Sequence, residues 1–399
     1  MKDLYNANTL SRFWGAGLEL PEDTWRAAVE EAAGLLPGQA RTLAQNGWDA
    51  VVEYILGEGQ FGSDHWQLSR ARRLYYHLAR PFLPRQVRPL LRRLVRSGQR
   101  NGFALGWPVE DRYVRFLYAV LEAVQKQHPG LRPASFWPGG ARFALVLTHD
   151  VETTAGQASV RRLADLEEHL GFRSSFNFVP EGYRVDPSLQ AELRERGFEI
   201  GVHGLKHDGK LFSSHAEFSH RAKRINHYLK EFGAVGFRAP LTHRHPGWMQ
   251  ELEIEYDLSF FDTDPYEPIP GGTMSVWPFQ IGHFIELPYT LVQDYTLTPV
   301  LGETTPRIWL QKVDFLERYH GMALLNTHPD YLVAPATWKV YADFLDAMKQ
   351  RGGYWHALPR EVAAWWRARA EASSPEALPG AVQATARVAN GSLAIEVSG

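Results

Sequence analysis

FALVLTHDVE, residues 143–152, decides how the chain folds. Phe143, Ala144, Leu145, Val146 and Leu147 form an unbroken apolar run that ends in Thr148, His149 and Asp150. A short run without polar alternation suits a strand buried on both faces, as in a parallel sheet. The same pattern recurs downstream: FEIGVH ends at His203, GFRAP carries Arg238, DLSFFDTD carries Asp262 and Asp264, and ALLNTH ends at His328. Each run delivers titratable groups at its C-terminal end. In a barrel of parallel strands those ends converge on one face, where active sites are built.

Working outward, the pattern predicts strands at 143–149, 174–179, 198–203, 236–238, 258–262, 284–288 and 322–327. Amphipathic helices are expected at 160–170, 187–196, 217–232, 306–319 and 336–351. Strand followed by helix, repeated, predicts an α/β fold, a distorted (β/α) barrel over 142–371. Before it, residues 1–137 read as a mostly helical N-terminal domain, with helices at 24–33, 41–56, 67–78 and 112–127, closed by Pro138-Gly139-Gly140. After it, residues 372–399 form a tail in which apolar alternation flanks Asn390-Gly391, a β-hairpin signal.

The 399 residues, 44% hydrophobic and 22% charged, match soluble globular composition and exclude collagenous, coiled-coil and wholly disordered classes. No apolar run reaches the roughly 18 residues that span a bilayer. The first ten residues lack a secretory apolar region, which predicts a cytoplasmic location. A net charge of −2 argues against nucleic-acid binding. With no Cys, any metal must be held by His, Asp or Glu. The ten arginines and no acids of 70–100 include an amphipathic stretch with Val87, Leu90, Leu91, Leu94 and Val95 on one face. It reads either as a surface helix whose arginine stems cover apolar surface, or as a platform for anionic lipid or substrate phosphate at the inner face of a membrane.

His203 and His207 stand four apart directly after a strand, a spacing that lets two imidazoles share one ion if the chain turns helical. The Glu of an HExxH metalloprotease is missing. Asp150 and Glu152 alternate around Val151, so both point to one side of an extended segment. One carboxylate can then ligate while the other acts as a base. His149 reads as a packed neighbour of the strand, Glu286 as a cleft or ion-pair residue, and His243 and His245 as rim or loop residues.

The region from about 142 to 367 resembles the NodB-homology polysaccharide deacetylases, carbohydrate esterase family 4. Leu147-Thr148-His149-Asp150 is similar to the first family motif and His203-Gly204-Leu205-Lys206-His207 to the second. Arg238-Ala239-Pro240, the segment 262–268 and Leu324-Leu325-Asn326-Thr327-His328-Pro329 follow in the order of the third, fourth and fifth. The resemblance implies a distorted barrel and a divalent metal, zinc or a similar ion, held by His203 and His207. It implies Asp150 as general base, Arg238 as the cation that keeps Asp150 ionised, and His328 as the acid that protonates the departing amine. The oxyanion would be met by the metal and the N–H of Leu241. Val151 stands where the family's usual second aspartate ligates, so Glu152 becomes the candidate ligand, with Asp150 as the alternative. Asp264 and Asp262, ahead of Glu267, are the candidates for tuning His328.

The activity so implied is deacetylation of an N-acetylated sugar or glycan intermediate, free or linked to lipid or phosphate. Hydrolysis of a non-sugar C–N bond, such as a ureide or cyclic amide, and a silent glycan-binding barrel are the alternatives, because one fold hosts many functions.

Overall fold

A computed structural model describes residues 3–15, 20–62, 65–66, 98, 100–372, 384–389 and 392–397. The helix expected at 67–78 lies outside the described residues, as does the arginine-rich stretch 70–100 apart from positions 98 and 100. Among the described residues no helix is long and apolar enough to cross a membrane.

The N-terminal part contributes α1 (Leu10–Trp14), α2 (Glu22–Ala32), α3 (Gly38–Leu43), α4 (Trp48–Leu56) and α5 (Arg112–Gln127). The single helix expected at 41–56 is two, because Gly47 between them adopts φ 97°, a conformation that glycine tolerates and a helix does not. β1 (Ala144–Val151) follows and is buried along its whole length. Then come α6 (Thr154–Leu170), β2 (Ser175–Phe178), α7 (Pro187–Glu195), β3 (Glu199–His203), α8 (His215–Glu231), β4 (Gly236–Arg238), α9 (Pro246–Met249) and β5 (Tyr256–Asp257). The chain continues through β6 (Phe279–Ile281), β7 (Phe284–Glu286), α10 (Arg307–Arg318), β8 (Met322–Thr327), α11 (Pro329–Leu332), α12 (Pro335–Arg351), β9 (Trp355–His356) and α13 (Pro359–Glu371).

The sheet runs β6-β7-β5-β4-β3-β2-β1-β8, with β9 also beside β1. All neighbours are parallel except β6 and β7. Past β7 the chain meets β8 through a parallel bridge of Leu291 with Leu325, while Phe261 bridges Tyr289, so the sheet curls into a distorted (β/α) barrel. The strand expected at 258–262 is not where the ladder forms: β5 precedes it at 256–257, and of the expected residues only Phe261 pairs, in an isolated bridge. Asp257 accepts the backbone N–H and hydroxyl of Ser259, and Glu286 accepts Phe260 N–H, so side chains satisfy groups that a longer ladder would have paired. In the tail, β10 (Ala384–Ala389) and β11 (Ser392–Val397) pair antiparallel on either side of Asn390-Gly391, with Ala389 opposite Ser392.

The N-terminal helices share one hydrophobic core with the barrel. Trp137 and Trp277 both donate from Nε1 to His320 C=O, at 2.9 and 2.8 Å, and Arg369 in α13 donates to Phe13 C=O at 2.7 Å. A buried ion pair also spans the two parts. Arg244 Nε donates to Glu58 Oε2 at 2.6 Å, a second guanidinium N–H bonds the other carboxylate oxygen, and Gly272 N–H donates to Glu58 at 2.7 Å. Burial opposes ionisation of Glu58, but Arg244 outweighs it and lowers the pKa.

Removing one member of a buried pair strands the other charge. Arg244→Met is therefore expected to cost about 3–5 kcal/mol in urea unfolding, with part of the loss recovered in the Glu58→Gln/Arg244→Met double variant. A loss below about 1 kcal/mol, the range of an exposed pair, would contradict this account of the junction.

Candidate metal centre and its acid–base pair

Asp150 stands near the end of β1, buried, with neighbours on three other strands. Its Oδ1 accepts from Asn177 Nδ2 of β2 at 3.0 Å and from Arg238 Nη1 of β4 at 3.2 Å, and its Oδ2 accepts from Asn326 Nδ2 of β8 at 2.9 Å. Burial alone would raise its pKa. The Arg238 guanidinium, then His203 and His328 and the Asn177 bond, outweigh burial and hold it well below the usual carboxylate range. Arg238 is fixed in turn, donating from Nε to Leu258 C=O at 2.8 Å, from Nη1 to Thr148 Oγ1 at 2.9 Å and to Asn326 Oδ1.

His203 ends β3 and is also buried. Its Nδ1 lies 3.1 Å from Arg238 C=O, an acceptor only, so Nδ1 carries the proton and Nε2 the lone pair. Nε2 is buried and makes no hydrogen bond. Burial, assisted by His207 and Arg238, lowers the pKa to about 4 against the pull of Asp150 and Glu152, so the ring is neutral at pH 7. Glu152 Oε1 lies 3.0 Å from His207 Nε2. Glu152, His203 and His207 each offer a donor atom within 4.8 Å of those of the other two. Burial would raise Glu152, but His207 foremost, with His328 and His203, holds it well below the usual range.

His328 follows β8 directly. Its Nε2 lies 3.9 Å from Asp150 Oδ2 and 3.9 Å from Glu152 Oε1, so the two acids alternating around Val151 do converge on one side. Its Nδ1 is 2.7 Å from Asp294 Oδ1, and its backbone N–H donates to Asp294 Oδ2 at 2.9 Å. Burial disfavours the charged ring. Asp294 overcomes that, with Glu152 and Asp150 adding to it, and the pKa is pushed up to about 10.

The acid beside His328 is thus Asp294, and neither Asp262 nor Asp264 bonds it. Asp262 forms a buried pair with Lys312, and burial still pushes it up to about 6. Asp264 accepts from Tyr266 N–H at 2.7 Å and Tyr289 hydroxyl at 3.4 Å, while Glu267 takes Thr242 Oγ1 at 2.8 Å and Gln293 Nε2 at 2.9 Å. Sequence reasoning missed Asp294, and with it Asn177 and Asn326. Leu241 sits in a tight turn after β4 with φ 60°, an unusual conformation for a leucine. His149 points away from this cluster: its ring bonds Thr327 Oγ1 and Glu167 Oε1, both at 2.7 Å, in a buried network with Ser174 and Tyr341. Glu286 is buried beside Asp257, and burial, with Asp257 next, raises its pKa well above the usual value. His243 is buried, and His245 caps α9.

No protein-family model and no curated protein matches the sequence. Similar solved structures include a Mycobacterium smegmatis protein assigned to the polysaccharide deacetylases, 20% identical, covering 58% of this chain and 92% of that one at a TM-score of 0.49. A Pseudomonas aeruginosa PAO1 protein assigned likewise is 17% identical over 60% of this chain and 96% of that one, TM-score 0.48. The Puue allantoinase is 16% identical over 60% of this chain and 95% of that one, also at 0.48.

Because Asp294 is the main group raising His328, Asp294→Asn is expected to lower the His328 pKa in the metal-free protein by about 1–3 pH units, read by NMR titration of the imidazole. The folded value of about 10 lies above the ordinary one. The pairing therefore stabilises the fold fully below pH ~6.5, and that contribution fades as pH rises through the folded value. An unchanged titration in the variant would remove Asp294 from this role.

Proposed function

We propose that this chain is a metal-dependent hydrolase that removes the acetyl group from an N-acetylated sugar. The observation that carries the reading is the buried, unbonded Nε2 of His203, held as a lone pair beside the donor atoms of Glu152 and His207. Two imidazoles and one carboxylate make the donor set of a catalytic zinc site, which takes three protein ligands and keeps a position open. Glu152 supplies the carboxylate that Val151 cannot, and Asp150 is left for proton transfer.

A divalent ion held by Glu152, His203 and His207 would supply Lewis acidity, polarising the amide carbonyl and making the attacking water more acidic. Asp150 accepts the proton of that water. Its bonds to Arg238, Asn177 and Asn326 keep it ionised and orient it, and a water made more acidic by such an ion would need only a weak base. The N–H of Leu241 donates to the oxyanion as the carbonyl carbon becomes tetrahedral. His328, charged and fixed through Nδ1 by Asp294, gives its Nε2 proton to the amine as the C–N bond breaks. Acetic acid, which ionises to acetate by releasing its proton to solvent, and the free amino sugar leave, with Asp150 having gained one proton and His328 having lost one. The motif resemblance supports the sugar substrate.

Zinc analysis of Glu152→Ala, His203→Ala and His207→Ala is expected to show loss of the ion in all three, with loss of acetate release from N-acetylhexosamine oligomers. Asp150→Asn and His328→Ala are expected to retain zinc and lower kcat by about 10²- to 10⁴-fold, the usual contribution of a general acid or base. Glu152→Ala that keeps zinc while Asp150→Ala loses it would exchange their roles. Ring opening of a cyclic amide without acetate release would replace the sugar substrate.

A further inference from the structure

Glu152 lies beyond the last paired residue of β1, where a loop would leave its carboxylate free to wander. Something else holds it. Asp330, in the first turn of α11, accepts Glu152 N–H on Oδ2 at 3.0 Å, and its Oδ1 accepts the hydroxyl of Thr153. Thr153 is the N-cap of α6 and accepts Gly156 N–H on the same hydroxyl oxygen at 3.2 Å. Gly156 makes room for this arrangement: a Cβ there would lie 2.6 Å from Asp330 Cγ, closer than two carbons approach without contact strain. The carboxylate of Asp330 is thus seated on the first turn of α6 where any other residue at 156 would push it out.

Two residues before Asp330 stands His328. The turn between them is rigid, since Tyr331 and Leu332 N–H both donate to His328 C=O, at 2.9 and 3.0 Å. The segment that carries His328 therefore grips the backbone of Glu152 directly. We infer that Asp330, seated against Gly156, is a positioning residue that locks Glu152 to the His328 turn and so sets both the metal affinity and the placement of the acid relative to it. The inference rests on the metal-site reading above. It also accounts for a glutamate in this place: the ligand's backbone is anchored one residue past the strand, and the longer side chain reaches back to His207.

The test uses the full chain stripped of metal and titrated with zinc, and with cobalt for its visible absorption. Asp330→Ala and Gly156→Ala are expected to weaken zinc binding about 10- to 100-fold, the usual effect of losing a partner behind a ligand, and to alter the cobalt spectrum. Asp330→Asn keeps one carbonyl oxygen for Glu152 N–H and an amide that can donate to Thr153 Oγ, so it is expected to bind zinc within a few-fold of wild type. That rescue separates positioning from a general loss of stability, which thermal melting reports independently. If Asp330→Ala does not fold, Gly156→Ala and Asp330→Asn still decide. Wild-type zinc affinity and an unchanged cobalt spectrum in the folded alanine variants would overturn the inference and leave the metal site standing. A wild-type chain that binds neither ion would overturn both.

Discussion

A bare carboxylate buried at Asp150 would be too costly to keep ionised, and the whole cluster follows from how that cost is met. Taking a carboxylate out of water costs several kcal/mol even after relaxation, unless charge and hydrogen bonds replace the lost hydration. Here the replacement comes from three other strands: Asn177 on β2, Arg238 on β4 and Asn326 on β8. None is near Asp150 in sequence, so the carboxylate is tolerated only once the barrel has closed. The arginine is held in turn, with Leu258 C=O accepting from Nε and with Thr148 and Asn326 accepting from Nη1, while its buried Nη2 makes no hydrogen bond. An ion pair so enclosed contributes little net stability, but it fixes geometry, and for the base proposed at Asp150 a direction set before substrate arrives is of more use than greater strength in a group that moves.

Placing Asp150 in this cage has a consequence for the neighbouring acid. A carboxylate whose oxygens are already taken by Arg238 and two asparagines is poorly suited to ligation. The residue after it, Val151, is buried and apolar. In the function proposed above, the role of ligand therefore passes to Glu152, the next residue on the same side, which bonds His207 and stands clear of the Arg238 network. The proposed base and the proposed ligand are separated by one apolar residue rather than being adjacent, and the longer glutamate chain accommodates the extra backbone step.

The barrel was legible because apolar runs that lack alternation have few other uses at this length, and because amphipathic helical patterns lie between them. β4 and β8 fall where the sequence reading put them, and Thr153, Asp186 and Ser214 each cap the helix that follows. The convergence of Asp150 with Glu152 was legible from their alternation. His203 and His207 do meet, but through a non-helical turn in which Gly204 adopts φ 64°, not on the helix face that their spacing required. What escaped was the partner of His328. Asp262 and Asp264 lie in an acid-rich segment that invites assignment, yet their surroundings engage them elsewhere, with Lys312 and with Tyr266 and Tyr289. Asp294 lies six residues past Pro288, where the strand expected at 284–288 ends, and the run between them, Tyr289-Thr290-Leu291-Val292-Gln293, is broken by polar residues and does not mark a strand. That run closes the barrel through isolated bridges instead of a ladder, and no local pattern encodes such a contact.

The site must hold three titratable groups in three different states within a few ångströms: Asp150 ionised, His203 neutral and His328 protonated. Each pair pulls toward a compromise, since His203 Nδ1 and His328 Nε2 both lie 3.9 Å from the same oxygen of Asp150. The separation is achieved by what each group faces on its far side. His203 gives its Nδ1 proton to a carbonyl, which favours the neutral tautomer but offers no charge to stabilise an imidazolium. His328 turns the same ring atom to the carboxylate of Asp294, which does. One imidazole is thereby prepared to donate a lone pair and the other to donate a proton, though both share a neighbour and a depth of burial. A pair of identical side chains pushed apart in this way is the arrangement that acid–base chemistry at neutral pH requires, and here it comes from the difference between one backbone oxygen and one carboxylate.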